Sequence, residues 1–202
     1  MLLIVSSPTK IESESAVINS LFTAGLTLFH LRKPNTQLEE ISQLLAGIDE
    51  KYLSRIVLHQ EHQLALEFGI NRLHFKEVDR IKLKESDFEK MKNSDFIYST
   101  SVHSKEEYFQ LNGVFNYAFY GPVFESISKP GYKPEKEVDF KFKNEKTTKL
   151  IGIGGITINN YRQVFDKGFD GIALCGTIWE AENQLTAFER IYNECQKIDL
   201  TY

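Results

Sequence analysis

The chain is poor in cysteine, methionine and tryptophan, with two, two and one in 202 residues. Cys175 and Cys195 are too few and too far apart for a disulfide framework or a zinc site. A reduced, cytoplasmic setting is the economical expectation. Positive charge is also scarce: 24 Lys and Arg stand against 28 Asp and Glu, a net charge of -4. Nucleic-acid-binding domains usually carry a basic field, so a nucleic-acid partner is not expected. A local basic pocket for a small phosphorylated molecule remains compatible with this balance. No apolar run approaches the length of a membrane span. The opening "MLLIVSSP" lacks the apolar core and basic flank of a secretory signal, so no membrane partner is expected either. Linkers, low-complexity segments and long repeats are missing too. Residues 1–202 are expected to form one domain, large enough to bury a sizeable core.

What the sequence does contain is a rhythm. Short apolar runs ("LLIV", "LTLFHLR", "RIVLH", "RLHF", "DFIYSTS", "FNYAFYG", "KLIGIG", "GIALCG") recur about every two dozen residues. Between most of them lie longer segments with apolar residues at helical spacing, such as Ile11, Val17, Ile18, Leu21 and Phe22 before Gly25. Thr36 is the expected N-cap of the helix in "TQLEEISQLLAGI", and one last helix is predicted from about Thr177 to Lys197. Strands alternating with helices imply parallel βαβ units. Eight units in this length predict an α/β fold, a single (β/α)8 TIM barrel, with a doubly wound open sheet as the structural alternative. The polar stretch after Gly131 reads as a long βα connection.

In such a barrel the site lies at the C-terminal ends of the strands. The residues there are chemically consistent. Arg32 and Lys129 are cations, and Ser101, Ser126 and Ser128 are hydroxyl donors. Gly154 and Gly155 in "GIGGIT", and Gly176 and Thr177 in "CGT", expose backbone N–H groups at the starts of predicted helices. Amides so placed hold phosphate. The competing reading is that these glycines only make tight turns. Cys175 reads as a small core residue. His59, His74 and His103 are candidate acids or bases by position. His30 and His74 otherwise read as structural, His103 otherwise as a helix cap, and the His59 to His62 pair as hydrogen-bonded more readily than metal-binding.

The segments "FHLRKP", "STSVHS", "YGPVFESISKPG", "IGIGGI" and "GFDGIALCGTI" resemble, in order and spacing, signature segments of the thiamine phosphate synthase and TenI family. The resemblance runs from about Leu2 to Ile178. The Gly-Pro-Val-Phe followed by hydroxyl-x-hydroxyl-Lys is its most specific part. It implies a transferase of thiamine biosynthesis that joins an aminomethyl-pyrimidine diphosphate to a thiazole phosphate and releases pyrophosphate. It further implies that Arg32, Ser101, Ser126, Ser128 and Lys129 hold the pyrophosphate. Gly155 and the Gly176 turn would hold the thiazole phosphate. A homodimer is implied by the resemblance alone.

Departures from the family pattern concern the metal. Arg32-Lys33-Pro34 stands where the family has Arg-Glu-Lys, and His59-Gln60 where it has Asn-Asp. The second metal carboxylate falls at Asp79, which makes Asp79 the metal candidate and Mg²⁺ the implied cofactor. A neutral Gln is a poorer ligand for Mg²⁺ than a carboxylate. Lys33 or Lys76 is therefore expected to take over some of the metal's charge. Gly176 stands where the family has Ser. The alternatives are a TenI-type thiazole tautomerase and a catalytically weak relative that binds thiamine precursors. Pro122, at a position where tautomerases can carry His, counts against the first.

Overall fold

The protein is described by a computed structural model covering residues 1–111, 113–127, 131, 133–134, 140 and 148–199. Eight parallel strands close into a barrel in sequence order. They are β1 Leu2–Val5, β2 Leu28–Leu31, β3 Ile56–Leu58, β4 Arg72–Phe75, β5 Ile97–Val102, β6 Phe115–Tyr120, β7 Lys149–Ile153 and β8 Gly171–Leu174. Closure removes the free sheet edges that an open doubly wound sheet would leave. The helices are α1 Glu14–Thr23, α2 Leu38–Ala46, α3 Glu50–Leu53, α4 Leu64–Glu67, α5 Glu77–Arg80, α6 Glu85–Lys92, α7 Lys105–Phe109, α8 Tyr161–Asp166, α9 Gly176–Trp179 and α10 Gln184–Asp199.

Strands covered on both faces read as near-continuous apolar runs, and the buried residues divide accordingly. Leu3, Val5, Leu28, Val57, Tyr117, Phe119, Ile151 and Ala173 pack inside the barrel. Ile4, Phe29, Leu31, Ile56 and Leu58 face outward onto Ile18, Leu21, Phe22, Ile41 and Leu45 of the helices. Phe140 is buried and packs edge-on against Tyr108, Tyr120 and Phe169, anchoring one point of the long β6–β7 connection.

Some expectations shift. The predicted last helix is two: α9 stops after Trp179, and α10 begins after Asn183, whose side chain accepts the Thr186 amide at 2.8 Å. Helix α2 starts at Leu38 with Gln37, not Thr36, at its N-cap. Gly25 does end α1, at a φ of +106°; a β-carbon there would meet the Tyr192 hydroxyl at 2.7 Å.

One irregularity matters for the site. Between β5 and β6 the register jumps from Tyr98 opposite Phe115 to Ser99 opposite Tyr117. The extra residue, exposed Asn116, is a bulge that inverts the in–out order of the strand. Phe115 therefore packs with the outer core, and Tyr117 and Phe119 turn into the barrel.

Candidate active site

A cavity of about 500 Å³ opens at the C-terminal ends of the strands. Its wall includes Arg32, His59, Lys76, Ser101, His103, Ser126, Gly154, Gly155, Gly176 and Thr177, drawn from seven strand ends. The structure thus brings together most of the residues singled out in the sequence. Ser128 and Lys129 lie outside the described residues. Asp79 sits on α5, half exposed and paired with Lys82 at 3.3 Å, and is not on the cavity wall.

The charge on the wall is one-sided. Among the described residues, neither Arg32 nor Lys76 has an acidic partner, and no carboxylate lines the cavity. Arg32 is aimed by its backbone: its amide donates to the Ser6 hydroxyl oxygen and its carbonyl accepts from the same hydroxyl, both at 2.8 Å. Lys33 is elsewhere. Its ammonium is buried, 2.5 Å from Glu14 and 2.8 Å from the Thr9 carbonyl. Burial keeps the Glu14 carboxyl above its usual pKa despite Lys33, and its Oε1 has no hydrogen-bond partner among the described residues. Gln60 is also spent, its side chain accepting from the Lys33 amide at 3.2 Å and donating to the Lys33 carbonyl. Lys76 reaches the cavity wall, as expected for one of the two candidate lysines, and Lys33 does not.

His103 lies on the rim, where its Nδ1 is 2.9 Å from the Gly121 carbonyl and its Nε2 is 3.5 Å from Glu77. It is not the cap of α7; Ser104 fills that role by accepting from the Glu107 amide at 3.1 Å. The Thr177 hydroxyl donates to the Ile156 carbonyl. Gly155 is held at a φ of +64°, and a β-carbon there would lie 2.1 Å from the Glu125 carbonyl oxygen. The last glycine of "GIGG" therefore lets the β7 turn lie against the loop after β6, beside Ser126.

The floor of the cavity is polar and was not legible as such from the sequence. His30, His59 and His74 are buried together inside the barrel. His30 Nδ1 and His59 Nε2 are 2.8 Å apart, and the Tyr117 hydroxyl meets His30 Nε2 at 2.9 Å. His74 meets Ser99 Oγ at Nδ1 and Ser101 Oγ at Nε2, each at 2.9 Å. Desolvation pushes His30 and His59 well below the ordinary histidine pKa and His74 down to about 3. The same burial pushes the Tyr117 phenol up to about 12. All four side chains are therefore neutral near pH 7. Strand parity could not signal this, because these strands are buried on both faces, and the Asn116 bulge shifts it further for Tyr117.

A family profile described as thiamine monophosphate synthase matches residues 1–178. The chain belongs to the thiamine monophosphate synthase family. Thiamine-phosphate synthase of Anoxybacillus flavithermus is 28% identical over 193 residues, covering 88% of this chain and 84% of the relative. That of Listeria welshimeri is 24% identical over 178 residues, covering 83% and 85%. Among solved structures, thiamine phosphate pyrophosphorylase from Bacteroides thetaiotaomicron superposes with a TM-score of 0.74 at 27% identity, covering 96% of this chain and 97% of that one. The Pyrococcus furiosus thiamine phosphate pyrophosphorylase, with a TM-score of 0.76 at 22% identity over 98% and 96% of the chains, shares the fold. No helix among the described residues is long and apolar enough to cross a membrane.

Proposed function

We propose that this member of the thiamine monophosphate synthase family couples an aminomethyl-pyrimidine diphosphate to a thiazole phosphate and releases pyrophosphate. The observation that carries the reading is the pair of cations Arg32 and Lys76, which have no acidic partner among the described residues, on a cavity wall without a described carboxylate. Such a wall suits a highly charged anion. As the carbon–oxygen bond ionises, negative charge builds on the leaving diphosphate, and preorganised cations and donors favour that state over the bound substrate. Arg32, Lys76, Ser101 and Ser126 are assigned to it, with Ser128 and Lys129 of the same loop. The thiazole phosphate is assigned to the backbone amides around Gly155 and Gly176, beside Thr177. Its ring nitrogen then captures the pyrimidine cation. Because the histidines beneath are neutral, the floor adds no positive charge against that cation.

The family's magnesium does not fit the donor set found here. Gln60 is held by the Lys33 backbone, Asp79 is paired with Lys82 away from the wall, and the described charges on the wall are the cations Arg32 and Lys76. Mg²⁺ calls for one or two carboxylates beside the substrate phosphates. In our reading Lys76 and Arg32 supply that charge themselves. Homodimer assembly and a cytoplasmic setting complete the proposal, and gel filtration tests the first. The activity is tested by following pyrophosphate release with each substrate alone and with both together. Release that depends on both supports the reading; no release under any condition removes it.

A further inference from the structure

The buried polar residues under the cavity form two hydrogen-bonded arms that both start at the same site. His59 and Ser101 each line the cavity. From His59 one arm runs through His30 (2.8 Å) to the Tyr117 hydroxyl (2.9 Å). From Ser101 the other runs through His74 (2.9 Å) to Ser99 (2.9 Å). Ser99 is the register neighbour of both His74 on β4 and Tyr117 on β6, so the two arms end on paired positions of adjacent strands. His59 Nδ1 has no hydrogen-bond partner among the described residues and is not a buried orphan, which leaves it open to the cavity.

Every link joins groups that can both donate and accept: neutral imidazoles and hydroxyls. Each arm can therefore stand in either of two directions without charge on any member. We propose that the neighbouring Tyr117 and Ser99 hydroxyls close the two arms into one proton relay, in which His59 takes a proton from a bound ligand while Ser101 gives one to a different atom in the same cavity. Resting on the coupling proposed above, the donor is the amino group of the aminopyrimidine and the acceptor is the leaving diphosphate oxygen.

The step balances as follows. The amino N–H proton passes to His59 Nδ1, and its electron pair forms a carbon–nitrogen double bond as the carbon–oxygen bond breaks toward the diphosphate. His59 Nε2–H passes to His30 Nδ1, His30 Nε2–H to Tyr117, Tyr117 O–H to Ser99, Ser99 O–H to His74 Nδ1, and His74 Nε2–H to Ser101. The original Ser101 proton goes to the leaving oxygen. When the thiazole nitrogen bonds the methylene carbon, the imine nitrogen recovers its proton from His59, each member of the chain passes its proton back, and Ser101 retakes one from the released pyrophosphate, which returns the chain to its first direction. His59 and Ser101 are catalytic residues in this step; His30, Tyr117, Ser99 and His74 act through them. This places a proton on the leaving group at a site whose donors do not suit magnesium.

A metal held by the three histidines is the rival use of the cluster. The rings of His59 and His74 stack 4.0 Å apart at 18°, so their in-plane lone pairs run side by side instead of converging. Both nitrogens of His30 and of His74 are already hydrogen-bonded. Neither arrangement suits a shared ion.

The test uses Tyr117→Phe, which cuts the relay at its far point without touching the cavity, and Ser99→Ala as a second cut. Melting curves and substrate dissociation constants first show that each variant folds and binds. Imidazole ¹⁵N spectra of the free protein then read the tautomers. The relay predicts that Tyr117→Phe changes the tautomer balance at both His59 and His74, although it contacts neither directly. In single turnovers, the wild-type coupling step should be slowed in D₂O with more than one proton in flight. Tyr117→Phe should slow that step by about 10²-fold with affinity unchanged. Unaltered tautomers, full-rate coupling in Tyr117→Phe, or one equivalent of Zn²⁺ retained by wild type but not by His30→Gln would each overturn the relay. Coupled tautomers in a protein that releases no pyrophosphate would instead refute the substrates and leave the relay standing.

Discussion

His30 Nδ1 and His59 Nε2 lie 2.8 Å apart in the barrel interior, so one of them carries a proton and the other does not. Protonating the accepting nitrogen would put two N–H groups against each other. The cationic neighbours Arg72 around His30, and Arg32 and Lys76 around His59 and His74, oppose protonation further. His62, also lowered by burial, stands beside His74.

Acid should therefore unfold the protein early. The folded pKa of these histidines is depressed below the unfolded value near 6.5, so the unfolded chain binds more protons as the pH falls below it. Stability is fully present above about pH 6.5 and is lost toward about 3, the value to which His74 is lowered. Each histidine contributes a slope of up to about 1.4 kcal/mol per pH unit in that window. Urea midpoints measured between pH 7 and 5 should fall steeply, and less steeply in His30→Gln. A flat profile would contradict the buried neutral cluster.

The ion pair of Lys33 and Glu14 should behave as a buried pair does. Lys33→Ala alone strands the carboxylate and should cost about 3–5 kcal/mol. The double change Lys33→Met with Glu14→Leu should be close to neutral, because both desolvation penalties vanish together. Chemical denaturation of the single and double variants checks this, and equal losses in both would show that packing dominates.

At the anion wall, Arg32→Ala should weaken inorganic pyrophosphate binding by roughly 10- to 100-fold, the scale of one hydrogen bond to a charged group. Arg32→Lys should restore only part, because the planar fork is lost. Binding by the wild type should weaken with added salt as the cations are screened. Calorimetric titration reads all three, and unchanged affinity in Arg32→Ala would remove it from the site.

Gly155→Ala should destabilise by about 3 kcal/mol, since the new β-carbon meets the Glu125 carbonyl and the left-handed φ disfavours alanine. Its melting temperature should fall even with no ligand present. An unchanged value would mean that the loop after β6 yields.

The barrel and its strand ends were readable because each strand is an apolar run bounded by a polar segment, and the observed strands lie within the quoted runs except β5, which runs one residue further to Val102. What could not be read is which face each strand residue takes. Strands buried on both sides show no alternation, so His30, His59 and His74 give no sign that they converge. The bulge at Asn116 hid Tyr117 further. Lys33 looked like a site cation because it adjoins Arg32, yet adjacent strand-end residues point opposite ways, and Glu14 from α1 captures it. The break between α9 and α10 falls just before Asn183, whose side chain accepts the Thr186 amide at the start of α10.

The most direct test of the account is the rate of pyrophosphate release from the paired substrates, measured in chelator and across a magnesium titration. The account predicts turnover in chelator, little gain from added Mg²⁺, and a loss of at least about 10²-fold in Lys76→Ala, in line with removal of a preorganised charge at the leaving group. An absolute requirement for Mg²⁺, with Lys76→Ala as active as the wild type, would contradict it.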